Sequence, residues 1–306
     1  MKKIAFIVNG KIKPRKGLIK AIQANFKGDY NLGFFITELS NGATRLTLRA
    51  IKENFTVIIC VGGDGSLNEV ANGIMEAKQV LSTAAFEQLR TGVLPYGSGN
   101  DFAKTIDVDF DIPLLKTWID SDRHKELDLG LVKFTNLSGT EETRHFINIA
   151  DVGLGGIVSR WVNESSKWLG AEIAYQWAII RSLISYRHQP VKARADSLIY
   201  TGKVMNYIVA NGKYFGSGLG VAPDAMPDDG IFSIVIVGEI SLAFYLKSLS
   251  DIRKCKRIKH PQVFYEQAKE ILVESEVPQP IDMDGEYIGN TPMKIKMVPK
   301  AIRFIC

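Results

Sequence analysis

The amino-acid sequence predicts two domains, an α/β domain with a mostly parallel sheet followed by a β-sandwich-like domain. In the first third of the 306-residue chain, strand-like and helix-like segments alternate, which is typical of a parallel sheet covered by helices. Beyond about residue 125, strand-like runs separated by turn residues dominate, which indicates a β-rich fold. The chain is longer than most chains that fold around a single hydrophobic core. We therefore expect domains at 1–125 and 126–297.

The elements of the first domain follow from its pattern of apolar residues. Continuous or alternating apolar runs predict strands, and apolar residues recurring every three or four positions predict helices. The predicted strands are 3–8, 32–37, 55–61 and 92–95, and the predicted helices are 17–26, 43–52 and 67–78. The last helix has the clearest pattern, because Leu67, Val70 and Ile74 fall on one face.

The second domain is predicted to be mainly β-structure. The predicted strands are 127–134, 144–149, 191–200, 205–211, 231–237, 269–274 and 293–297, and the predicted helices are about 171–187 and 241–253. Turn pairs such as Asn211-Gly212 and Asp284-Gly285 separate several strands.

Composition and charge exclude several classes of protein. Lys and Arg exceed Asp and Glu by 38 − 33 = 5, which favours binding to nucleotides or anionic membranes without requiring either. No run of like charge is typical of a nucleic-acid arm, so no nucleic-acid partner is expected. Cys60, Cys255 and Cys306 are odd in number and far apart, which favours a reducing, cytoplasmic location. The short apolar run 4–8 predicts a strand rather than a signal peptide.

The strongest local signal is the Gly-Gly-Asp-Gly-Ser loop at 62–66, between an apolar strand and a helix. Glycines let backbone N–H groups approach an anion, and the helix N-terminus adds a positive end. Ser66 and Glu69 have the spacing of a capping box. Asp64 could bind Mg²⁺ or accept a proton from an attacking hydroxyl. The alternative is an ordinary βα turn, but an acidic residue at the end of a buried strand favours a phosphate site.

A second loop, Gly-Ser-Gly-Asn-Asp at 97–101, repeats this arrangement after the strand at 92–95. Its polar side chains, on Ser98, Asn100 and Asp101, could contact a second phosphate or a ribose. The alternative is a simple helix cap by Asn100 or Asp101. Because parallel strands end at one edge of a sheet, two such loops favour a nucleotide site. The first domain is therefore interpreted as nucleotide-binding.

These loops and three further segments resemble the diacylglycerol kinase catalytic domain family, which includes bacterial soluble lipid kinases and sphingosine kinases. The five segments, in the family's order, are 62–69, 95–103, 128–130 (Asp-Leu-Gly), 222–230 (Ala-Pro-Asp-Ala, then Asp-Asp-Gly) and 282–286 (Asp-Met-Asp-Gly-Glu). The resemblance extends over most of the chain. The Gly-Gly-Asp-Gly segment alone would also fit NAD kinases and phosphofructokinases.

The resemblance implies ATP between the two domains, and a final strand at about 298–306 that completes the first domain. It implies Glu286 as the general base on a lipid hydroxyl, with Asp64 as a second catalytic residue. The residues it places at ATP are Asn9, Gly10, Thr37, Gly62, Gly63, Asp64, Gly65, Ser66, Leu67, Asn68, Glu69, Ser98, Asn100 and Asp101. The loop after the first strand departs from the family, because it reads Asn-Gly-Lys-Ile-Lys-Pro instead of the usual N-P-x-x-G.

The resemblance also implies Mg²⁺ as a cofactor. Asp229, with the backbone carbonyls of Met226 and Ile231, would hold a structural ion. The acidic residues expected to support the metals and the reaction are Asp64, Asp101, Asp128, Asp228 and Asp284. Oxygen ligands suit Mg²⁺. On the residues alone, the Asp-Asp-Gly and Asp-Gly segments are more often hairpin turns than sites, and only the resemblance to the family makes them candidate sites.

A stretch of the second domain combines Trp with basic residues, which suits a lipid or membrane interface. Its members are Arg160, Trp161, Lys167, Trp168, Trp177 and Arg181. The alternative is core packing on a helix.

Three functions remain open from the sequence. The first is a lipid kinase that transfers the ATP γ-phosphate to a lipid hydroxyl of diacylglycerol or a related lipid. The second is an enzyme like NAD kinase, and the third is a nucleotide-binding regulator without turnover. The expected partners are ATP and a lipid at the inner membrane surface, and a homodimer is left open.

Overall fold

The computed structural model describes residues 1–38, 42–164 and 186–306. The chain forms two compact units, Met1–Leu129 with Pro299–Cys306, and Gly130–Val298. The predicted fold class is confirmed, since the first unit contains a parallel sheet and the second is built mainly of antiparallel strands. The assignment of the first unit to ATP, and of the second to lipid and metal, stays a prediction.

The first unit is a parallel sheet with helices between its strands. Its strands are β1 (Lys2–Val8), β2 (Tyr30–Ile36), β3 (Val57–Gly62) and β4 (Arg90–Pro95), and its helices are α1 (Arg15–Asn25), α2 (Gly42–Lys52), α3 (Asp64–Lys78), α4 (Thr83–Glu87), α5 (Asp101–Thr105) and α6 (Ile112–Asp120). The strand order is β2-β1-β3-β4, all parallel. β1 and β3 consist largely of buried apolar residues, as parallel strands covered on both faces require.

The second unit contains the remaining elements. They are β5 (Lys125–Asn136), β6 (Glu141–Phe146), β7 (Ile149–Gly153), α7 (Leu154–Glu164), β8 (Gln189–Ala195), β9 (Leu198–Val204), β10 (Asn206–Ala210), β11 (Tyr214–Phe215), β12 (Leu219–Gly220), β13 (Phe232–Val237), α8 (Leu242–Arg253), β14 (Val263–Ala268), β15 (Glu270–Glu274), β16 (Pro280–Met283) and β17 (Glu286–Phe304). β5 starts in the first unit, and β17 ends there, where Phe304 pairs in parallel with Thr91 of β4.

The second unit has two clusters of buried apolar residues, because β7 and β10 are buried along their whole length. In β8, Val191, Ala193 and Ala195 are buried, whereas Lys192 and Arg194 between them are exposed. This alternation is expected of antiparallel strands with one solvated face. One path of neighbouring strands runs β14-β13-β10-β7-β16-β17, which places the hairpin of β16 and β17 beside β7.

Two segments of the second domain that the sequence predicts as single strands are each divided into two strands in the structure. The run 191–200 is broken at Asp196, which has φ +48° and accepts the N–H groups of Lys269 and Glu270. Aspartate tolerates this left-handed conformation better than most residues. The run 144–149 is broken because its last backbone N–H groups donate to a carboxylate, that of Asp284.

Other differences concern segments outside the clearest patterns. The structure adds the strands β11, β12, β14 and β16 and the helices α4, α6 and α7. In β16 the buried Asp282 interrupts the apolar run that would have identified a strand. Most of the helix predicted at 171–187 lies outside the described residues. Within the described ranges, no helix combines the length and apolar character needed to cross a membrane.

Candidate functional site

The two glycine loops of the first unit are in backbone contact. β3 and β4 are neighbours in register, with Gly62 opposite Pro95, so the loops leave the sheet side by side. A Cβ atom on Gly97 would lie 2.5 Å from the Cα of Gly63, which no side chain could tolerate. The glycines are therefore needed for this close approach, and the loops form one continuous backbone surface.

Asp64 joins the two loops through its carboxylate. Its Oδ2 accepts the N–H of Asp101 and its Oδ1 accepts the N–H of Phe102, both at 3.0 Å. These are first-turn donors of α5, which lack partners inside the helix. Asn100, at the N-cap with φ +53°, makes no side-chain capping bond. Asp64 thus caps the helix of the other loop with charge-assisted hydrogen bonds.

Asn100 instead closes its own loop. Its Oδ1 accepts the N–H of Gly97 at 2.8 Å, and its amide donates to the Gly97 carbonyl at 3.0 Å. Ser98 lies at the exposed tip between them. The second loop is therefore shaped by one asparagine, and it is attached to the first loop by Asp64.

The predicted capping box of Ser66 and Glu69 is wrong, because α3 begins at Asp64 and Gly63 is its N-cap. Ser66 therefore lies inside the first turn, where its Oγ accepts the Asn9 amide at 2.9 Å. The Glu69 carboxylate accepts the N–H of Ala43 at 2.7 Å, at the start of α2. A carboxylate there complements the positive helix end, so both side chains tie α3 to neighbouring elements.

The residues predicted after β1 and β2 lie at the same edge of the sheet. The Asn9 N–H donates to the carbonyl of Val61, and the Gly10 N–H donates to Thr37 Oγ1 at 3.0 Å. A Cβ on Gly10 would lie 1.9 Å from the Thr37 carbonyl oxygen. Arg15 donates to the Gly10 carbonyl at 2.9 Å. Asn9, Gly10 and Thr37 thus assemble although the loop departs from the family pattern.

Two predicted ATP-binding residues are buried in α3. Leu67 is 2% exposed and Asn68 is 3% exposed, and the amide of Asn72 donates to Asn68. Their side chains therefore stabilise the helix rather than line an open surface. Gly62, Gly63, Gly65 and Ser66 remain at the turn itself.

The predicted acidic network is brought together only in part. A Cβ on Gly99 would lie 3.1 Å from Asp64 Oδ2 and 3.4 Å from Asp101 Oδ2, so these two carboxylates flank the same glycine. Asp101 also pairs with Lys104 at 3.3 Å. Asp128 is 1% exposed and accepts the N–H of Lys300 at 2.7 Å, where it holds the returning strand. Among the described residues, no three His, Cys, Asp or Glu side chains are grouped to hold a metal.

In the second unit, Asp284 anchors the turn between β16 and β17. Asp284 and Gly285 have φ +50° and +85°, as in the tight hairpin turns that Asp-Gly pairs favour. The Asp284 carboxylate is buried and accepts three backbone N–H groups at 2.9–3.0 Å, from Ile147, Asn148 and Ile149. The turn is therefore fixed to the start of β7.

Glu286 follows this turn as the first residue of β17. Its side chain is 43% exposed, and its Oε2 lies 3.4 Å from Nη2 of Arg144 on β6. A carboxylate with this exposure can reach a bound hydroxyl and accept its proton. The sequence gives no role to Arg144, because 142 residues separate the partners.

The residues predicted to hold a structural Mg²⁺ lie on an exposed turn before β13. Asp229 Oδ1 accepts the N–H of Ile231 at 3.1 Å, Asp228 is exposed, and Met226 is 51% exposed. One carboxylate and two carbonyls form an all-oxygen donor set, which fits an ion that prefers oxygen and retains several waters.

The structure describes only part of the stretch predicted to contact lipid. Arg160 and Trp161 line a cavity of about 370 Å³ together with Tyr186 and Arg187. The other members, Lys167, Trp168, Trp177 and Arg181, lie outside the described residues. Lipid contact at Arg160 and Trp161 stays a prediction.

The sequence assigns no individual role to two further buried residues, Asp151 and Asp282. Asp151 is 0% and Asp282 is 4% exposed. A sequence signal exists for Asp151, since it is the one charged residue in the apolar strand Ile149–Gly153. A lone buried carboxylate is uncommon and requires partners.

Comparison with known protein families covers nearly the whole chain. Residues 3–132 match the model described as the diacylglycerol kinase catalytic domain. Residues 148–306 match the model described as the YegS C-terminal NAD kinase beta sandwich-like domain.

Curated relatives and solved structures agree with these matches. The chain is 30% identical over 266 residues to the diacylglycerol kinase of Staphylococcus aureus strain JH9, covering 87% of this chain and 79% of the relative. It is 28% identical over 266 residues to that of Staphylococcus carnosus, covering 87% and 81%. A crystal structure of a diacylglycerol kinase from Bacillus anthracis has a TM-score of 0.71 at 21% identity, covering 99% and 96%. Yeast NADH kinase with NADH has a TM-score of 0.53 at 10% identity, covering 99% and 82%.

The bridging role of Asp64 leads to a stability prediction. Asp64→Ala should lower the free energy of unfolding by about 2–4 kcal/mol, because two hydrogen bonds to a charged group are lost. Asp64→Asn should lower it by about half as much, because the amide keeps one acceptor. Urea unfolding measures both values. Asp109→Asn, at an exposed site of the same unit, is the matched control, and an Asp64→Ala variant as stable as this control would contradict the bridging role.

Proposed function

The chain belongs to the diacylglycerol kinase family, and from that premise we propose that it transfers the γ-phosphate of ATP to the hydroxyl of a lipid. The observation that carries the proposal is the backbone contact between Gly63 and Gly97, bridged by Asp64. A continuous glycine surface beside a helix N-terminus suits a polyphosphate.

The first unit would bind ATP through backbone and small polar groups. The long helix α3 starts within the first loop, so its N-terminal N–H groups and dipole favour phosphate oxygens there. Lys11 and Lys13 are exposed in the loop after β1 and would neutralise part of the phosphate charge. Thr37 and Asn9 at the same edge would contact the remainder of the nucleotide. These groups bind and orient ATP, and positioning is the main requirement of phosphoryl transfer.

The second unit would supply the general base. Glu286 accepts the proton of the lipid hydroxyl, and the hydroxyl oxygen forms a bond to the γ-phosphorus. The bond between that phosphorus and the bridging oxygen of ADP breaks, and ADP leaves with the electron pair. Glu286 then releases its proton to solvent. The ion pair with Arg144 and the anchored Asp284 turn would hold the base in position.

Mg²⁺ would supply positive charge that neutralises the phosphates during the transfer. Asp229, with the carbonyls of Met226 and Ile231, would hold a structural ion, supported by Asp228. Asp64 and Asp101, which flank Gly99, would face the metal that accompanies ATP.

A second candidate is an NAD kinase-like reaction, for which the fold similarity to yeast NADH kinase is the reason. That similarity concerns the fold alone, and the segments 100–103 and 228–230 fit the lipid kinase pattern instead. A nucleotide-binding regulator is the third candidate. For the lipid kinase, we expect a cytoplasmic protein that meets its acceptor at the membrane surface.

One assay separates the three candidates. The purified chain with Mg·ATP is mixed with micelles containing diacylglycerol, with NAD, or with neither, and ADP release is measured. ADP release that requires the lipid is the expected result. Release that requires NAD would replace the proposal with the second candidate. Tight ATP binding without release under any condition would identify a regulator.

A further inference from the structure

The second unit contains a pair of buried carboxylates to which the proposed reaction gives no role. Asp151 on β7 and Asp282 on β16 are directly opposite in the antiparallel ladder. Side chains at opposite positions have Cβ atoms about 4.5–5.5 Å apart and lie on the same face. Because both residues are buried, their carboxylates meet away from water.

Part of each carboxylate has hydrogen-bond donors. In the amide orientation that satisfies its neighbours, Asn206 donates to Asp151 Oδ1 at 3.0 Å. The Gly156 N–H, at the start of α7, also donates to Asp151. On the other strand, the Gly285 N–H donates to Asp282 Oδ2 at 3.3 Å. Asp282 therefore contacts the turn that precedes Glu286.

The other oxygen of each carboxylate, Asp151 Oδ2 and Asp282 Oδ1, is buried and has no hydrogen-bond partner among the residues that the structure describes. Two ionised carboxylates at this separation would repel each other, and an unpartnered buried oxygen is costly. One proton between the two residues removes both problems, since one carboxyl then donates and the other accepts.

The electrostatic environment agrees with a bound proton. Burial raises the pKa of Asp151 to about 7, although the bonds from Gly156 and Asn206 lower it in part. Burial, and after it the charge of Asp151, raises the pKa of Asp282 well above its usual value, although hydrogen bonds from Ser159 and Gly285 lower it in part.

In the part of the chain that the structure describes, no positively charged side chain lowers the pKa of either carboxyl. The charged and titratable groups acting on the pair are Asp284, whose charge raises the pKa of Asp282 further, and Tyr186. The pKa of Tyr186 is raised by burial and by the charge of Asp151, so its phenol stays neutral.

We propose that Asp151 and Asp282 share one proton near neutral pH and act together as positioning residues for the turn that carries Glu286. Asp282 holds this turn through the Gly285 N–H. The same turn is fixed to β7 by the Asp284 N–H, which donates to the Ile149 carbonyl at 2.9 Å. Loss of the shared proton would place two negative charges between β7 and β16 and loosen the turn. The proposal rests on the proposed function only in naming Glu286 as the base.

The test uses the full chain with Asp151→Asn, whose amide supplies an N–H where the shared proton lies. Unfolding midpoints are measured from about pH 4 to about pH 9. Folded wild-type protein keeps the proton up to about pH 7, whereas an unfolded aspartate releases it near about 3.9. The stability that the bound proton contributes to the folded protein is therefore complete below about pH 4 and is lost as the pH rises to about 7. We expect the wild-type midpoint to fall relative to Asp151→Asn over this range.

The local stability of the turn is measured by amide hydrogen exchange of the peptide 282–288 over the same pH range. We expect the protection of these amides, measured against the intrinsic exchange rate at each pH, to fall through about pH 7 in the wild type and to stay constant in Asp151→Asn. The kcat of the wild type should fall over the same interval, and this fall should be absent in the variant. Asp251→Asn, at an exposed site on α8, is the matched control and should behave as the wild type does.

Failure of the shared-proton proposal can be told apart from failure of the proposed function, because the unfolding and hydrogen-exchange measurements require no substrate. The predicted pH dependence without lipid phosphorylation would support the shared proton and reject the lipid kinase. An Asp151→Asn variant with wild-type pH dependence in midpoint and exchange would overturn the shared proton. Stabilisation of the wild type, but not of the variant, by Mg²⁺ at alkaline pH would show that the pair holds a cation, which also overturns it.

Discussion

Glu286→Gln should lower kcat by about 10²–10⁴-fold, the range typical of a lost general base, while the affinity for ATP stays unchanged. Glutamine keeps the size of the side chain, and its carbonyl oxygen can still accept a hydrogen bond from Arg144. It cannot take a proton from the lipid hydroxyl. In the proposed site, ATP is bound by groups of the first unit, which this change does not touch. Steady-state kinetics and calorimetric ATP binding measure the two effects separately.

A matched variant controls for the loss of one negative charge from the second unit. Glu266→Gln, at an exposed position on β14, should keep the wild-type kcat. If Glu286→Gln is as active as Glu266→Gln, Glu286 is not the base. If it loses ATP affinity and kcat together, its role is in nucleotide binding or folding.

Gly97→Ala should weaken ATP binding by about tenfold or more and destabilise the first unit. The added Cβ would lie 2.5 Å from the Gly63 Cα and 2.9 Å from Asn100 Oδ1, so the two loops must separate. Such overpacking typically lowers the free energy of unfolding by about 1–3 kcal/mol. Separation would also pull the α5 N–H groups away from Asp64. Urea unfolding and calorimetry test this result.

The control for Gly97→Ala is another glycine in the same unit. Gly17 lies in α1, and a Cβ there would have its nearest heavy atom at 3.8 Å. Gly17→Ala should keep or raise the stability, because alanine favours a helix by about 1 kcal/mol over glycine. Equal stability of the two variants would contradict the backbone contact between the loops.

The sequence predicts well what local patterns determine. Buried parallel strands appear as continuous apolar runs, so the strands of the first unit and the helices between them could be recognised. Parallel strands end at one edge, so the meeting of the loops at 62–66 and 97–101 could also be predicted. The helix start could not be placed correctly, because Ser66 and Glu69 find partners in other elements.

The connections that shape the sites join residues distant in sequence. Asp64 caps a helix whose donors lie 37 and 38 residues away. Asp284 accepts N–H groups 135–137 residues away and thereby breaks a predicted strand. Asp151 and Asp282 become a pair only through the register of β7 and β16. No local spacing encodes these contacts, since tertiary pairing alone brings the groups together.

The proposed reaction moves phosphate from ATP to a lipid hydroxyl with Glu286 as the base. The most direct measurement follows the label of [γ-³²P]ATP into organic-extractable product, with Mg²⁺ and micelles containing diacylglycerol. We expect labelled lipid with the wild type and with Glu266→Gln, and only a trace with Glu286→Gln. Label that stays wholly in the aqueous phase with the wild type, or equal labelling by Glu286→Gln, would contradict it.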